Sequence, residues 1–252
     1  MAVLQRQRLH ALDALRGLTL LSMIGYHGLW NLVYLFGADI AWYKELPGYI
    51  WQQSICWTFI ALSGFCFPMG RHHLKRGLMI FGGGILVSLA THLLMPSSRI
   101  TFGILTFTGS CMLLMIPLEK ALKNVPSGIG AVVSMALFVL LHNCNEGTLG
   151  FESFVIGRLP RALYRNLLTT YLGFPMKGFF SADYFPLLPW LFLFLTGYFL
   201  YGILHSRGWD VKLFARGRFP VLNWMGRHSL LIYLLHQPVL YGICLAVDYL
   251  LK

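Results

Sequence analysis

Charge is what this chain has least of. Asp, Glu, Lys and Arg make up only 12% of its 252 residues, hydrophobic residues make up 57%, and mean hydropathy is +0.64. A soluble domain of this length would leave much of that apolar surface in water, whereas a helical bundle in a bilayer has lipid to cover it. Acids are scarcer than bases, nine against twenty, which gives a net charge of +11. The basic residues stand in short clusters between apolar runs. That pattern belongs to membrane orientation and headgroup contact and argues against nucleic-acid binding. Metal-ligand spacing is also missing. Cys56, Cys66, Cys111 and Cys244 fall in apolar runs and Cys144 just past one, with no CxxC pair, so neither a disulfide framework nor a zinc site is expected. Internal repeats and low-complexity tracts are absent too, which weakens a transporter built from repeated halves.

What is present is a series of apolar stretches, most about twenty residues long and so able to cross the hydrocarbon core. They predict an all-α, polytopic transmembrane bundle forming a single membrane domain over 1–252. The spans are expected near 14–37, 48–69, 76–95, 101–121, 128–142, 185–204 and 223–250, about seven in all, the short fifth leaving six or eight as alternatives. Arg6 and Arg8 before the first run resemble a secretory signal, but the run is too long for one and contains Tyr26 and His27, so it reads as an uncleaved span. With the N-terminus inside, Arg71, Lys75, Arg76, Lys120, Lys123, Arg207, Lys212, Arg216 and Arg218 also lie inside. Lys44, Arg99 and Lys252 lie outside, with four more in a long loop. Lys/Arg bias in short loops sets orientation, which gives N-in and C-out. The expected location is a bacterial inner membrane.

The loop at about 143–184 is too aromatic for disorder. Leu159, Leu163 and Leu167 share one helical face and Arg158, Arg161 and Arg165 another, predicting an amphipathic helix on the outer interface that anchors to headgroups or recognises an acceptor.

Ionisable groups in hydrocarbon are costly, on the order of 2.5–3.5 kcal/mol each for Asp, Lys or Arg at mid-membrane. Two signatures therefore stand out. In the first span, at 100° per residue, Asp13, Arg16, Leu20, Ile24, His27 and Asn31 fall on one face. Arg16 and His27 are eleven residues apart, about 16 Å along the axis. A cation at the inner mouth and an imidazole deep in the bundle suit a ligand with an anionic head and a long reactive arm, such as acyl-CoA. The plain alternatives are an i,i+3 ion pair of Asp13 with Arg16 and an interhelical hydrogen bond from His27. In the last span, Ser229, Tyr233 and His236 line up at i, i+4 and i+7. Pro238 leaves the Leu234 carbonyl without its helical donor and predicts a kink beside His236. This polar face is either part of a catalytic site or a hydrogen-bonded seam between the first and seventh spans.

Between these two signatures, Asp183 stands at the mouth of the sixth span, in Asp183-Tyr184-Phe185-Pro186-Leu187-Leu188-Pro189-Trp190, where it is expected to hold an acceptor hydroxyl or amine. Gly82-Gly83-Gly84 invites close helix approach, and Gln52, Gln53, Ser54 and His92 are candidates to line a cavity.

Leu12-Asp13-Ala14-Leu15-Arg16-Gly17 with His27, Met225-Gly226-Arg227-His228-Ser229, and Tyr233-Leu234-Leu235-His236-Gln237-Pro238 resemble the transmembrane acyltransferase superfamily. Phe102-Gly103-Ile104-Leu105 and the Asp183–Trp190 stretch are similar to its bacterial branch related to the heparan-alpha-glucosaminide N-acetyltransferase catalytic domain. The ends also resemble acyltransferase family three, whose members usually have more spans. The resemblance covers the whole chain. It implies acyl-CoA, commonly acetyl-CoA, as a donor substrate from the cytoplasm, no tightly bound cofactor, and a small-molecule or glycan acceptor with an amine or hydroxyl. It leaves room for a homodimer.

The resulting expectation is an acyltransferase in which Arg16 and Arg227 hold the CoA phosphates and Asp13 orients Arg16. His27 acts as base or nucleophile, and Tyr233 or His236 steadies the oxyanion, with Ser229 on the same face. Two other classes remain open, a haem-binding electron carrier using His27, His92 and His236, and a small-solute transporter.

Overall fold

In the computed structural model, residues 9–215 and 219–251 are described. The expected inner charges Arg6, Arg8, Arg216 and Arg218, and Lys252 on the other side, lie outside them. The helices are α1 (His10–Trp30), α2 (Ala41–Lys44), α3 (Leu46–Cys66), α4 (His73–Leu94), α5 (Ile104–Leu122), α6 (Ser127–Leu141), α7 (Leu167–Leu172), α8 (Leu187–Ser206), α9 (Trp209–Phe214), α10 (Pro220–Arg227) and α11 (Ser229–Leu251). One antiparallel hairpin, β1 (Thr148–Phe151) with β2 (Phe154–Arg158), is the sole sheet among the described residues. The protein is all-α apart from that hairpin. Among the described residues, five segments are long and apolar enough to cross a membrane: His73–Leu94, Ile104–Leu122, Ser127–Glu146, Leu187–Ser206 and Ser229–Val247. α1 and α3, 21 residues each, match them in length and fall short in hydropathy.

The chain divides into two compact units, Met1–Phe59 with Leu204–Lys252, and Ile60–Ile203. Each is locked by helix pairs in which glycine on one helix meets the backbone of the other, the close approach that small residues permit where lipid offers no competing hydrophobic drive. In the first unit a Cβ on Gly17 would collide with the Leu222 carbonyl, and one on Gly226 with the Asp13 carbonyl, so α1 and α10 clasp reciprocally. In the second unit Gly64 meets Phe194 and Gly197 meets Ala61, joining α3 to α8, while Gly84 meets Thr106 and Gly109 meets Phe81, joining α4 to α5. The glycine run in α4 therefore packs through Gly84, whereas Gly82 faces open space.

Two expectations are corrected. The run 223–250 is not one helix. The chain breaks at His228 (φ −103°, ψ 24°), which closes α10 through bonds from its N–H to the Trp224 and Met225 carbonyls, and α11 starts at Ser229. The glycine clasp holds α10 on α1, so the α11 course must begin afresh. Pro238 stands inside α11, which continues past it to Leu251. The segment 143–184 carries no amphipathic helix through Leu159, Leu163 and Leu167. Leu159 ends the hairpin by bonding Gly147, and Pro160, which lacks an N–H, opens a single 3-10 turn at Arg161–Leu163. α7 then starts from an Asn166–Thr169 capping box. Arg158, Arg161 and Arg165 are exposed, as an interfacial reading requires, but on hairpin and turn.

Candidate active site

The polar face of α1 meets α11 within the first unit. His27 Nδ1 lies 2.7 Å from His236 Nε2, with ring centroids 4.9 Å apart and planes inclined 23°. His236 Nδ1 lies 2.5 Å from the Tyr233 carbonyl. A carbonyl only accepts, so His236 Nδ1 carries a proton and donates it. For two neutral rings the rest follows. His236 Nε2 is then an acceptor, His27 Nδ1–H donates to it, and the lone pair of His27 is left on Nε2. One backbone carbonyl thus fixes the tautomer of two imidazoles and leaves a base on α1. His236 is buried, and the Tyr233 ring rests 5.3 Å from its own.

Below this pair the face turns apolar and then charged. Leu20, Met23 and Ile55 form a buried cluster, with Ile24, Tyr26, Trp51, Phe59, Met225 and Tyr233 packed against it. Trp51 is held by its indole N–H donating to Ser22 Oγ at 2.8 Å, and Tyr43 by its hydroxyl donating to the Tyr26 carbonyl at 3.1 Å. A turn before the cluster, Arg16 Nη1 sits 3.5 Å from Asp13 Oδ1, a long i,i+3 pair that leaves most of the guanidinium fork to other partners. Arg227 is exposed at the C-terminus of α10, with Nε donating to the Asn223 carbonyl at 3.1 Å. Asn223 is buried and ties α10 to the start of α1, its Nδ2 donating to the His10 carbonyl at 2.5 Å. Sequence reasoning passed over this residue. Its signal was an amide three residues before Gly226, and so on the same face of α10. Ser229 opens α11, seven residues before His236 and so about 10 Å below it.

Asp183 belongs to the second unit and serves the backbone there. Its Oδ2 accepts the Ile104 N–H at 3.0 Å, at the first residue of α5. Ser181 Oγ receives the Thr101 N–H and donates to the Asp183 carbonyl, and the Phe185 N–H reaches the Phe102 carbonyl, so the segments around 99–104 and 181–185 are stitched together. Burial raises the Asp183 carboxyl to about 6, against the opposing pull of the Ile104 N–H. His92 also lies in this unit, exposed, with Nδ1 2.8 Å from the Ser88 carbonyl. Among the described residues no three His, Cys, Asp or Glu side chains come together as a metal site.

The architecture is that of an integral membrane protein, its apolar helices carrying one pair of histidines in contact between α1 and α11. The family model for the heparan-alpha-glucosaminide N-acetyltransferase catalytic domain matches residues 8–238, and the chain belongs to that family. Membership makes it a transferase with a membrane acetyltransferase-type function. No curated protein and no solved structure matches the chain.

Proposed function

We propose that this protein moves an acyl group, in the first instance acetyl, from cytoplasmic acyl-CoA to an amine or hydroxyl acceptor, a sugar among the candidates, at or across the membrane. The observation that carries this reading is the chain of contacts from His27 through His236 to the Tyr233 carbonyl, because it leaves an unprotonated Nε2 on a membrane helix where general-base catalysis needs one. Arg16, with Arg227, binds the CoA phosphates, and Asp13 orients Arg16. The spacing of Arg16 and His27, about 16 Å along α1, matches an anionic head separated from a reactive thioester. His27 takes the acceptor's proton. His236 positions His27, and Tyr233 supplies the carbonyl that orders both. Asp183 is assigned to the start of α5 rather than to the acceptor, since its carboxylate is occupied by the Ile104 N–H. Ser229 lies on the donor side of the same face.

A haem carrier fits the geometry less well. An iron ligated axially by two imidazoles separates their nitrogens by about 4 Å, twice a metal–nitrogen bond of about 2 Å, whereas His27 and His236 are in direct contact. In this reading the protein crosses the bacterial inner membrane about seven times, N-terminus inside and C-terminus outside, as one membrane domain. The test is to incubate the purified full chain in nanodiscs with labelled acetyl-CoA and a panel of amino and hydroxy sugars. Acetyl transfer to at least one acceptor, together with saturable acetyl-CoA binding, is expected. Absence of acetyl-CoA binding overturns the proposal.

A further inference from the structure

Asn31 is absorbed by none of these roles. It stands one turn beyond His27 on the same face of α1, is 1% exposed, and its Nδ2 has no hydrogen-bond partner among the described residues. Buried polar groups are paired in the great majority of cases, so an unpaired buried donor asks for an explanation, and of the unpaired groups among the described residues Asn31 is the one on the polar face of His27. The backbone changes at the same residue. Winding passes from α to π over Asn31–Leu35, and α11 packs against that segment. The π segment ends the helix at Phe36, so Asn31 stands where the helix stops being regular. Four residues of helix place Asn31 about 6 Å along the axis from His27. A base and an amide donor one turn apart match the two ends of an acyl transfer, one for the acceptor's proton and one for the oxygen that gains charge.

We infer that Asn31 Nδ2 binds the thioester carbonyl oxygen of acyl-CoA and holds it as negative charge develops, which makes Asn31 a catalytic residue of the acyltransferase proposed above. The inference rests on that reading. In the step, the acceptor X–H loses its proton to His27 Nε2 while an X–C bond forms, and the carbonyl π electrons move to the oxygen, which accepts from Asn31. Collapse restores the carbonyl and breaks the C–S bond. The CoA thiolate leaves and recovers the proton from His27, so the enzyme returns unchanged. Asn31 keeps its protons throughout, as an amide does.

The test compares two unreactive CoA thioethers on the full chain in nanodiscs, acetonyl-CoA, which keeps a carbonyl, and S-propyl-CoA, which has none. The wild-type chain is expected to bind acetonyl-CoA about tenfold more tightly, the scale of one well-placed hydrogen bond. Asn31→Leu should bind both at the wild-type level for S-propyl-CoA, and its unfolding temperature should not fall, since it removes an unpaired buried donor. A second measurement needs no variant at Asn31. The infrared carbonyl band of isotopically labelled acetyl-CoA, bound to the His27→Ala chain, should move to lower wavenumber than in solution. A preference for acetonyl-CoA that survives Asn31→Leu, or an unshifted band, overturns the role of Asn31. A wild-type chain that binds neither thioether overturns the acyltransferase reading itself.

Discussion

The two units differ in how most of their imidazoles and hydroxyls are satisfied inside apolar helices. In the unit Ile60–Ile203, hydroxyls fold back onto their own helix. Thr106 Oγ1 donates to the Gly103 carbonyl at 2.6 Å, Ser110 to Thr106 at 2.5 Å, Ser134 to Gly130 at 2.5 Å and Thr196 to Phe192 at 2.8 Å. Thr108 and His73, on α5 and α4, are exceptions, the Thr108 hydroxyl and His73 Nδ1 being buried without a partner among the described residues. In the unit of α1, α10 and α11, imidazoles reach between helices, and Asn31 keeps a donor open. A group bonded to its own backbone is satisfied wherever the helix goes, and so tells little about function. A group satisfied only by another helix constrains the fold, and one satisfied by nothing costs free energy unless a ligand completes it. In the function proposed above, the chemistry belongs to α1 and α11, where the two imidazoles meet.

The sharpest way to break that contrast is His27→Ala. Acyl transfer should drop by at least about a hundredfold, the low end for loss of a general base, with acetyl-CoA affinity retained. His236→Ala should cost about tenfold, because the base remains but its tautomer and aim are no longer fixed. His236→Gln, whose side-chain oxygen can accept from His27 Nδ1–H, should recover part of that loss. Turnover and donor affinity measured on all three separate base from positioning residue. If His236→Ala is inactive while His27→Ala keeps most of its turnover, the roles are exchanged.

The other unit has its own reach across segments at Asp183, and there the expected effect is on stability. Its carboxyl is raised to about 6 in the folded chain. Folding therefore retains a proton that the unfolded chain releases between about pH 4 and 6. Stability contributed by this group is greatest below pH 4, falls as pH rises through that window and is level above it, with a total span of at most about 3 kcal/mol. Asp183→Asn, which keeps an oxygen for the Ile104 N–H, should flatten this component and leave the chain no less stable at pH 7. Thermal unfolding in nanodiscs from pH 4 to 7 measures it. A wild-type profile that is flat across the window, or one unchanged by the substitution, contradicts the assignment.

Much of the site was legible in the residues. Helical arithmetic alone set Asp13, Arg16, His27 and Asn31 on one face; α1 bears the first three, and Asn31 follows it at the start of the π segment. It could not show that His27 meets His236, because residues 209 positions apart in the sequence carry no local signal of contact. Nor could it show that Asn31 is buried and unpaired, which depends on what α11 covers. The break at His228 had a signal, because Gly226-Arg227-His228-Ser229 interrupts the apolar run, but the hydropathy of 230–247 outweighed it; in the structure Gly226 packs on Asp13 and α11 starts at Ser229. The arginine-bearing loop was misread for a different reason. A leucine repeat at 159, 163 and 167 obeys the helical period, but Pro160 and the Asn166 cap override it locally. Periodicity proposes a helix, and the punctuation residues decide where one can start.

On the donor side, Arg16→Lys sharpens the comparison by keeping the charge and removing the fork. Acetyl-CoA binding should weaken by about 1–3 kcal/mol, the scale of a charge-assisted hydrogen bond, with turnover at saturating donor little changed. Calorimetric titration reads this directly. Unchanged affinity in a folded variant would return Arg16 to the role of partner to Asp13.

The smallest effect is expected where a polar group does both things at once. Thr196 Oγ1 donates to the Phe192 carbonyl within α8 and also lies 3.1 Å from Ser134 Oγ on α6. If the bond between helices mattered here as it does at His27, Thr196→Val should be harmful. Ser134, however, is already served by the Gly130 carbonyl at 2.5 Å, and valine fills the space of threonine. The substitution leaves no unpaired donor and opens no cavity. It removes one hydroxyl bond, worth under about 1 kcal/mol between helices in a membrane. Turnover should stay within about twofold of the wild type, and the unfolding temperature should move by a few degrees at most. A large loss of either would mean that hydroxyls bonded to their own helix carry more than local satisfaction, and that the separation drawn between the two units fails at the α6–α8 contact.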